Sequence, residues 1–196
     1  MARFNEQQTE QIRQERREQI LAAALAVFAE HGVDGTKMSM IAKKAGMSHG
    51  LLYHYFASKE EVLRESLEWS MTGGDELINH IQSLPGSPLD KIAEFTRLAL
   101  SEGSQDTFRI IQRIVQSKDL DASLIRIIET SGEKYIEFLT PIVIDGQKAG
   151  QIIDEDTDKL VGVYLTVISG IISDDLTMIR NDLEWHVRIL LRMLAV

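Results

Sequence analysis

Residues 38–59 read MSMIAKKAGMSHGLLYHYFASK, and the reading of this stretch decides the fold. Met38, Ile41, Ala42 and Ala45 recur at three- and four-residue spacing, which makes one apolar face of a short helix. Gly46 stands where such a helix ends on a residue of positive φ. Ser48 is placed to N-cap a second short helix, His49–Tyr55, with Leu52 and Phe56 one turn apart. Two short helices joined by Gly46-Met47-Ser48 fit a helix-turn-helix. Small Ala42 and Ala45 let the axes approach closely, and a helix of seven residues is stable only when packed. Held on its apolar side, the second helix has its outer face free to enter a major groove.

That outer face carries His49, Leu51, Tyr53, His54 and Tyr55. Tyrosine and histidine donate to phosphate oxygens or base edges, and leucine meets a thymine methyl. Lys59 opens the next helix, where its ammonium and the free N–H groups both favour an anion. Lys37, Lys43 and Lys44 flank the preceding helix, and Arg3, Arg13, Arg16 and Arg17 are available from an N-terminal arm. His49 and His54 are five residues apart, on different sides of a helix, which suits groove contacts better than shared metal ligation.

Outward from this core the periodicity is helical almost everywhere. From Gln11, the set Ile20, Ala24, Val27, Phe28 and His31 lies on one helix face, and Gly32 stops it before a tight loop over 33–36. Ser58 N-caps a fourth helix with Glu61 in capping-box position; it can run to about Ile81 unless Gly73-Gly74 break or bend it. Beyond Pro85, Gly86 and Pro88, helices are expected near 88–102, 104–117, 121–149, 156–178 and 181–195. Gly103, Asp119–Asp121, Gly146 with Gly150, and Arg180-Asn181 separate them. Pro141 should kink or split the longest, and Ile142–Ile144 is the one strand-like run. The expected class is all-α with about nine helices.

The ordered set Ile41, Ala42, Ala45, Gly46, Ser48, Gly50, Leu52, Tyr53, Phe56, Lys59 and Glu60 follows Ala23-Ala24, Phe28 and His31-Gly32. Over roughly residues 14–64 this pattern resembles the DNA-binding domain of the TetR family of bacterial one-component transcription regulators. One departure is Lys37, where the family usually carries Thr; Thr36 is then expected to cap the helix. The resemblance implies a recognition helix over His49–Tyr55, phosphate contacts by Tyr53, Tyr55 and Lys59, and base reading around Ser48, His49, Gly50 and Leu51. With Lys37, Ser39 and His54 these make the expected DNA-binding set. It also implies an N-terminal three-helix DNA-binding domain over 1–64 and a helical effector-binding and dimerisation domain over 65–196.

In that second region Leu160, Val161, Tyr164, Leu165, Ile168, Ile171 and Ile172 form an apolar stripe, beside the small Gly162, Ser169 and Gly170. Leu183, Val187, Leu190, Leu191 and Leu194, with Trp185, continue it on the last helix. Paired with their symmetry mates, these two helices would make a four-helix homodimer seam. Trp69, Phe95, Phe108, Tyr135, Phe138 and Tyr164 are the candidates for an effector pocket, with an apolar or aromatic effector favoured.

The chain has 196 residues, no cysteine and a formal net charge of −9. Absence of cysteine excludes disulfides, thiol nucleophiles and Cys-ligated metal sites. No apolar run reaches the length of a membrane-spanning helix. The first 20 residues are polar, so no secretory segment is expected and a cytoplasmic protein is. The acidic balance at first disfavours nucleic acid, but it is unevenly placed. Residues 1–65 hold 9 Lys+Arg and 9 Asp+Glu, so the whole excess falls on 66–196. The Asp154–Asp158 run lacks the ligand spacing of a calcium loop, Thr130-Ser131-Gly132 is no nucleophile elbow, and no phosphate-binding glycine pattern occurs. The expectation is a repressor released from a quasi-palindromic duplex operator by a small molecule, without catalysis, cofactor or metal. The alternative is a helical interaction module or enzyme that uses the helix-turn-helix as scaffold.

Overall fold

The computed structural model describes residues 2–101, 105–115, 121–174, 179 and 181–196, with side chains from Gln8 onward except that of Gln105. Among them are nine helices: α1 (Ala2–Gly35), α2 (Met38–Lys44), α3 (His49–Tyr55), α4 (Lys59–Ser83), α5 (Pro88–Leu100), α6 (Gln105–Val115), α7 (Ala122–Lys148), α8 (Thr157–Ser173) and α9 (Leu183–Leu191). The separators Gly103, Asp119 and Arg180, the helix ends placed at 104, 116–117 and 175–178, and the side chain of Arg3 lie outside the described residues.

Local chemistry sets most of these boundaries. Gly32 has φ 72° and breaks the α1 helix near its end, a conformation that glycine adopts without a Cβ penalty. Helix α2 closes in a Schellman motif: Gly46, at φ 66°, donates to Lys43 O at 3.2 Å and Met47 N donates to Ala42 O at 3.0 Å. Ser48, Ser58, Ser87, Asp121, Asp156 and Asp182 each accept a main-chain N–H at the start of the helix that follows.

Five local expectations are resolved or changed. Helix α1 begins at Ala2 rather than near Gln11; side-chain pairs one turn apart, Gln11 with Glu15 and Gln14 with Glu18, support this polar first part. Helix α4 runs through Gly73-Gly74, and α7 runs through Pro141, without a break. Ile142–Ile144 is helical, being part of the long amphipathic α7. Thr36 does not cap α2: it is buried and donates to Gly32 O at 2.6 Å, so it ties the end of α1, and Lys37 takes the N-cap position without a side-chain bond.

Two apolar clusters hold the helices. The first gathers Ile20, Ala24 and Phe28 of α1, Ile41 of α2, Leu52 of α3, and Leu63 and Leu67 of α4, all almost fully buried. It also takes in Ile110 and Ile114 of α6 and Leu124 of α7. Each large side chain buried this way contributes about 1.5–3 kcal/mol. The second gathers Ile81, Ile92, Phe95, Phe138, Val161, Tyr164, Ile168 and Leu190 from α4, α5, α7, α8 and α9. Helix α4 belongs to both. An ion pair from Arg97 Nε to Glu184 Oε1, at 2.6 Å, joins α5 to α9, and Ile152 and Ala195 form an isolated antiparallel bridge that fastens the chain after α9 to the α7–α8 loop.

Candidate nucleic-acid interface

The α3 helix is amphipathic in one short span. Leu52 is fully buried, and Phe56, its C-cap, donates its N–H to Leu52 O at 3.1 Å and is buried too. On the other side His49, Gly50, Leu51, Tyr53 and His54 are all exposed. Leu51 and Tyr53 keep 39% and 48% of their surface in solvent, unusual for an apolar residue and an aromatic one on a packed helix. His49 meets Tyr53 edge-on at 5.0 Å between ring centroids, so the two rings brace each other on the outer face. A Cβ added at Gly50 would meet nothing within 4 Å, which opens a bare stretch of main chain between them.

The other expected contact residues fall into two groups. Lys37 and Ser39, at the start of α2, and Ser48, at the start of α3, are exposed. Ser48 also accepts Leu51 N at 3.2 Å, so its hydroxyl works first as a cap. Tyr55 and Lys59 are half-buried. Tyr55 packs against the first cluster, and Lys59 Nζ donates to Val33 O at 2.8 Å, which satisfies a carbonyl just beyond the α1 break. Lys43 and Lys44 stand exposed in the last turn of α2, where the helix dipole favours cations.

Sequence patterning missed the group that orients this helix. Arg17 of α1 donates to Tyr55 O at 3.1 Å, pairs with Glu65 of α4, and lies 4.4 Å over the ring centroid of Phe56. Among the residues expected to touch DNA from the N-terminal arm, Arg17 is therefore committed inside the domain. No local signal marks it, because its partners are 38 and 48 positions away. Arg113 of α6 lies against the α1 break: a Cβ at Gly32 would come 3.0 Å from Arg113 Nη1.

The aromatic residues expected around an effector divide between the clusters. Phe95, Tyr135 and Phe138 come together, with ring centroids 5.9 Å (Phe95–Tyr135) and 6.1 Å (Phe95–Phe138) apart. Phe108 and Tyr164 pack in the same cluster, whereas Trp69 packs against the first. Tyr164 is buried and its hydroxyl lies 2.7 Å from Thr96 Oγ1; burial pushes its pKa up to about 12, the bond to Thr96 pulling the other way. Burial, and then the charge of Asp75, raise that of Tyr135. An open groove of about 540 Å³ lies instead between α4 and α7, and none of these six residues lines it.

On α8, Val161, Tyr164, Ile168 and Ile172 are spent on the protomer's own core. The opposite face is left with Val163, 55% exposed, and with Gly162 and Gly170, where an added Cβ meets nothing. Trp185 on α9 is 44% exposed. Among the described residues no helix is long and apolar enough to cross a membrane.

Residues 20–66 match the family described as bacterial regulatory proteins, tetR family. The chain is similar to the HTH-type transcriptional regulator AcrR of Shigella flexneri, at 33% identity over 112 residues, 56% of this chain and 52% of AcrR. It thus aligns with about half the length of that curated relative. In fold it is similar to the ketosteroid transcriptional regulator KstR2 of Mycobacterium tuberculosis, with a TM-score of 0.77 at 22% identity, covering 92% of this chain and 95% of that one. AibR in complex with isovaleryl coenzyme A and operator DNA gives 0.67 at 21% identity, over 82% and 87% of the two chains.

Proposed function

We propose that the chain is a member of the TetR family, whose model matches residues 20–66, and that it is a DNA-binding transcriptional repressor released from its operator by a small molecule. The observation that carries this reading is the two-sided α3: Leu52 and Phe56 anchor it, while His49, Gly50, Leu51, Tyr53 and His54 face solvent together. Residues 1–64 act as the head and 65–196 as the effector-binding and dimerisation body. Base reading falls to Ser48, His49, Gly50 and Leu51, and phosphate contact to Tyr53, His54, Lys37 and Ser39. Tyr55 and Lys59 approach the backbone from the two ends of the helix pair while holding α3 and α1 in place.

The bared face of α8 with Trp185 of α9 supports a homodimer, whose two α3 helices would lie about 34–36 Å apart on a quasi-palindromic operator. The protein would act in the cytoplasm, where such an operator is found. Helix α4 is the lever. Its 25 residues span about 37 Å, from the Ser58 cap beside α3 to the second cluster. An effector with higher affinity for a different separation of the two heads would release DNA by population shift. AibR, whose structure was solved with both a ligand and operator DNA, supports pairing the two kinds of partner on this fold.

The test is retention on duplex DNA at two salt concentrations. Binding should weaken steeply with salt, and His49→Ala with Tyr53→Ala should abolish sequence preference while the fold survives, both side chains being exposed. Binding that is absent, or indifferent to salt, would refute the reading.

A further inference from the structure

The groove between α4 and α7 has a lining unlike the rest of the acidic body. Its volume of about 540 Å³ is that of a small-molecule site. Arg64, Arg126 and Lys134 line it against two carboxylates, Glu68 and Asp75, with Met71 and Ile127 as apolar wall. Both Met71 and Ile127 are packed against the first cluster, so this wall is fixed. Lys134 Nζ is neutralised by both oxygens of Asp75, at 3.0 and 3.1 Å. Arg64 is shared between Glu68 at 3.4 Å and Glu65 at 3.9 Å. Arg126 faces the groove with no carboxylate partner among the described residues. One guanidinium is thus left uncompensated beside an apolar wall, in the part of the chain that holds the entire negative excess.

We propose that this groove binds an amphipathic anion, with its hydrocarbon part on Met71 and Ile127 and its carboxylate or phosphate on Arg126. The planar guanidinium matches either head group with two parallel donors. The inference rests on the effector reading above and moves the site: the aromatic cluster of Phe95, Tyr135 and Phe138 is core, and the ligand lies on the α4–α7 side. Binding there reaches α3 by a short route. Arg64 lies in the groove and beside Glu65, and Glu65 holds Arg17, which holds Tyr55 O. An anion drawing on Arg64 changes the charge next to the pair that fixes the recognition helix.

Titration calorimetry of the full chain, below micelle concentrations, tests this with decanoate, decyl phosphate, decanol and inorganic phosphate. At least one of the two amphipathic anions should bind saturably, and their ratio identifies the head group. Decanol should bind at least about tenfold more weakly, and inorganic phosphate without measurable heat. Exposed Arg126→Ala should weaken anion binding about tenfold, as expected for loss of a charge-assisted pair; Arg126→Lys should fall between, and Lys148→Ala, away from the groove, should change nothing. Binding of neither anion, equal binding of decanol, or unchanged binding by Arg126→Ala would overturn the proposal. Duplex retention, measured separately, should be unaffected by Arg126→Ala without ligand. If the unsubstituted chain retains duplex but binds neither anion, the groove alone is refuted; if it binds an anion but no duplex, the regulator reading alone is refuted.

Discussion

Arg17 donates to the main-chain carbonyl of Tyr55 at 3.1 Å, which ties the last turn of α3 to a residue of α1 that stands 38 positions earlier. The same guanidinium pairs with Glu65 and covers Phe56. Arg17→Ala therefore removes three contacts and leaves the half-buried Glu65 carboxylate with only Arg64, at 3.9 Å. It should cost about 1–3 kcal/mol in a denaturant melt and weaken binding to every duplex in parallel, without altering sequence preference. Arg17→Lys should recover only part of the loss, since an ammonium cannot span carbonyl and carboxylate while lying flat on a ring.

Two glycines in the helix-turn-helix should respond oppositely. Gly46 holds φ at 66° in the turn, so Gly46→Ala should destabilise by about 1–2 kcal/mol although there is space for the methyl. Gly50 lies within α3 in open space. Gly50→Ala should raise stability by up to about 1 kcal/mol while lowering DNA affinity, because the new methyl stands where main chain would approach the duplex. Thermal melts and DNA titrations of the two variants separate these outcomes; equal loss of stability in both would contradict the assignment.

Gly74 in α4 sits against Tyr135 of α7: a Cβ there would lie 2.8 Å from the tyrosine hydroxyl. Gly73, its neighbour, faces open space. Gly73→Ala should gain about 0.5–1 kcal/mol from helix propensity, and Gly74→Ala should gain less or lose. Tyr135→Phe removes the nearest atom, so a double-mutant cycle should return a coupling of about 0.5–3 kcal/mol. Additive behaviour would show that α4 and α7 do not meet there.

The Thr96–Tyr164 pair gives a pH dependence with a defined sign. With its pKa at about 12 in the native protein and about 10 when unfolded, Tyr164 keeps its proton in the fold after the unfolded chain has lost it. The stabilisation is complete below pH 10 and disappears as pH rises toward 12, about 1 kcal/mol being lost by pH 11. Tyr164→Phe should flatten this slope in urea melts. Because Thr96 also bonds Ile92 O at 2.7 Å, its hydroxyl donates there and accepts from Tyr164. Thr96→Val, which strands the buried phenol, should therefore cost more than Tyr164→Phe.

The parts of this molecule legible in its sequence are those fixed by neighbours in the chain. Gly46, Ser48 and Ser58 act within four residues, so the bounds of α2, α3 and the start of α4 follow from residue type. Leu52 and Phe56 reveal which side of α3 is anchored, and by elimination which side is free. What could not be read depends on distant main chain. Lys59 is a plausible phosphate ligand by position, yet its ammonium meets Val33 O; a carbonyl carries no signature in a sequence. Thr36 bonds backward to Gly32 O rather than forward into α2 for the same reason. The aromatic set was ambiguous because core and pocket demand the same residue types, and which charges come to line the α4–α7 groove is a property of packing.

The most direct test of the central claim is selection of a random duplex pool by the full chain, followed by titration of the enriched duplex at 50 and 200 mM salt. The account predicts two related half-sites in inverted orientation with centres about 10 base pairs apart, or a whole number of turns. It also predicts an affinity that falls by roughly a hundredfold or more between the two salts, with the half-site consensus lost in the His49→Ala, Tyr53→Ala double variant. No enrichment, or enrichment that the double variant reproduces unchanged, would contradict the assignment of α3 as the helix that reads DNA.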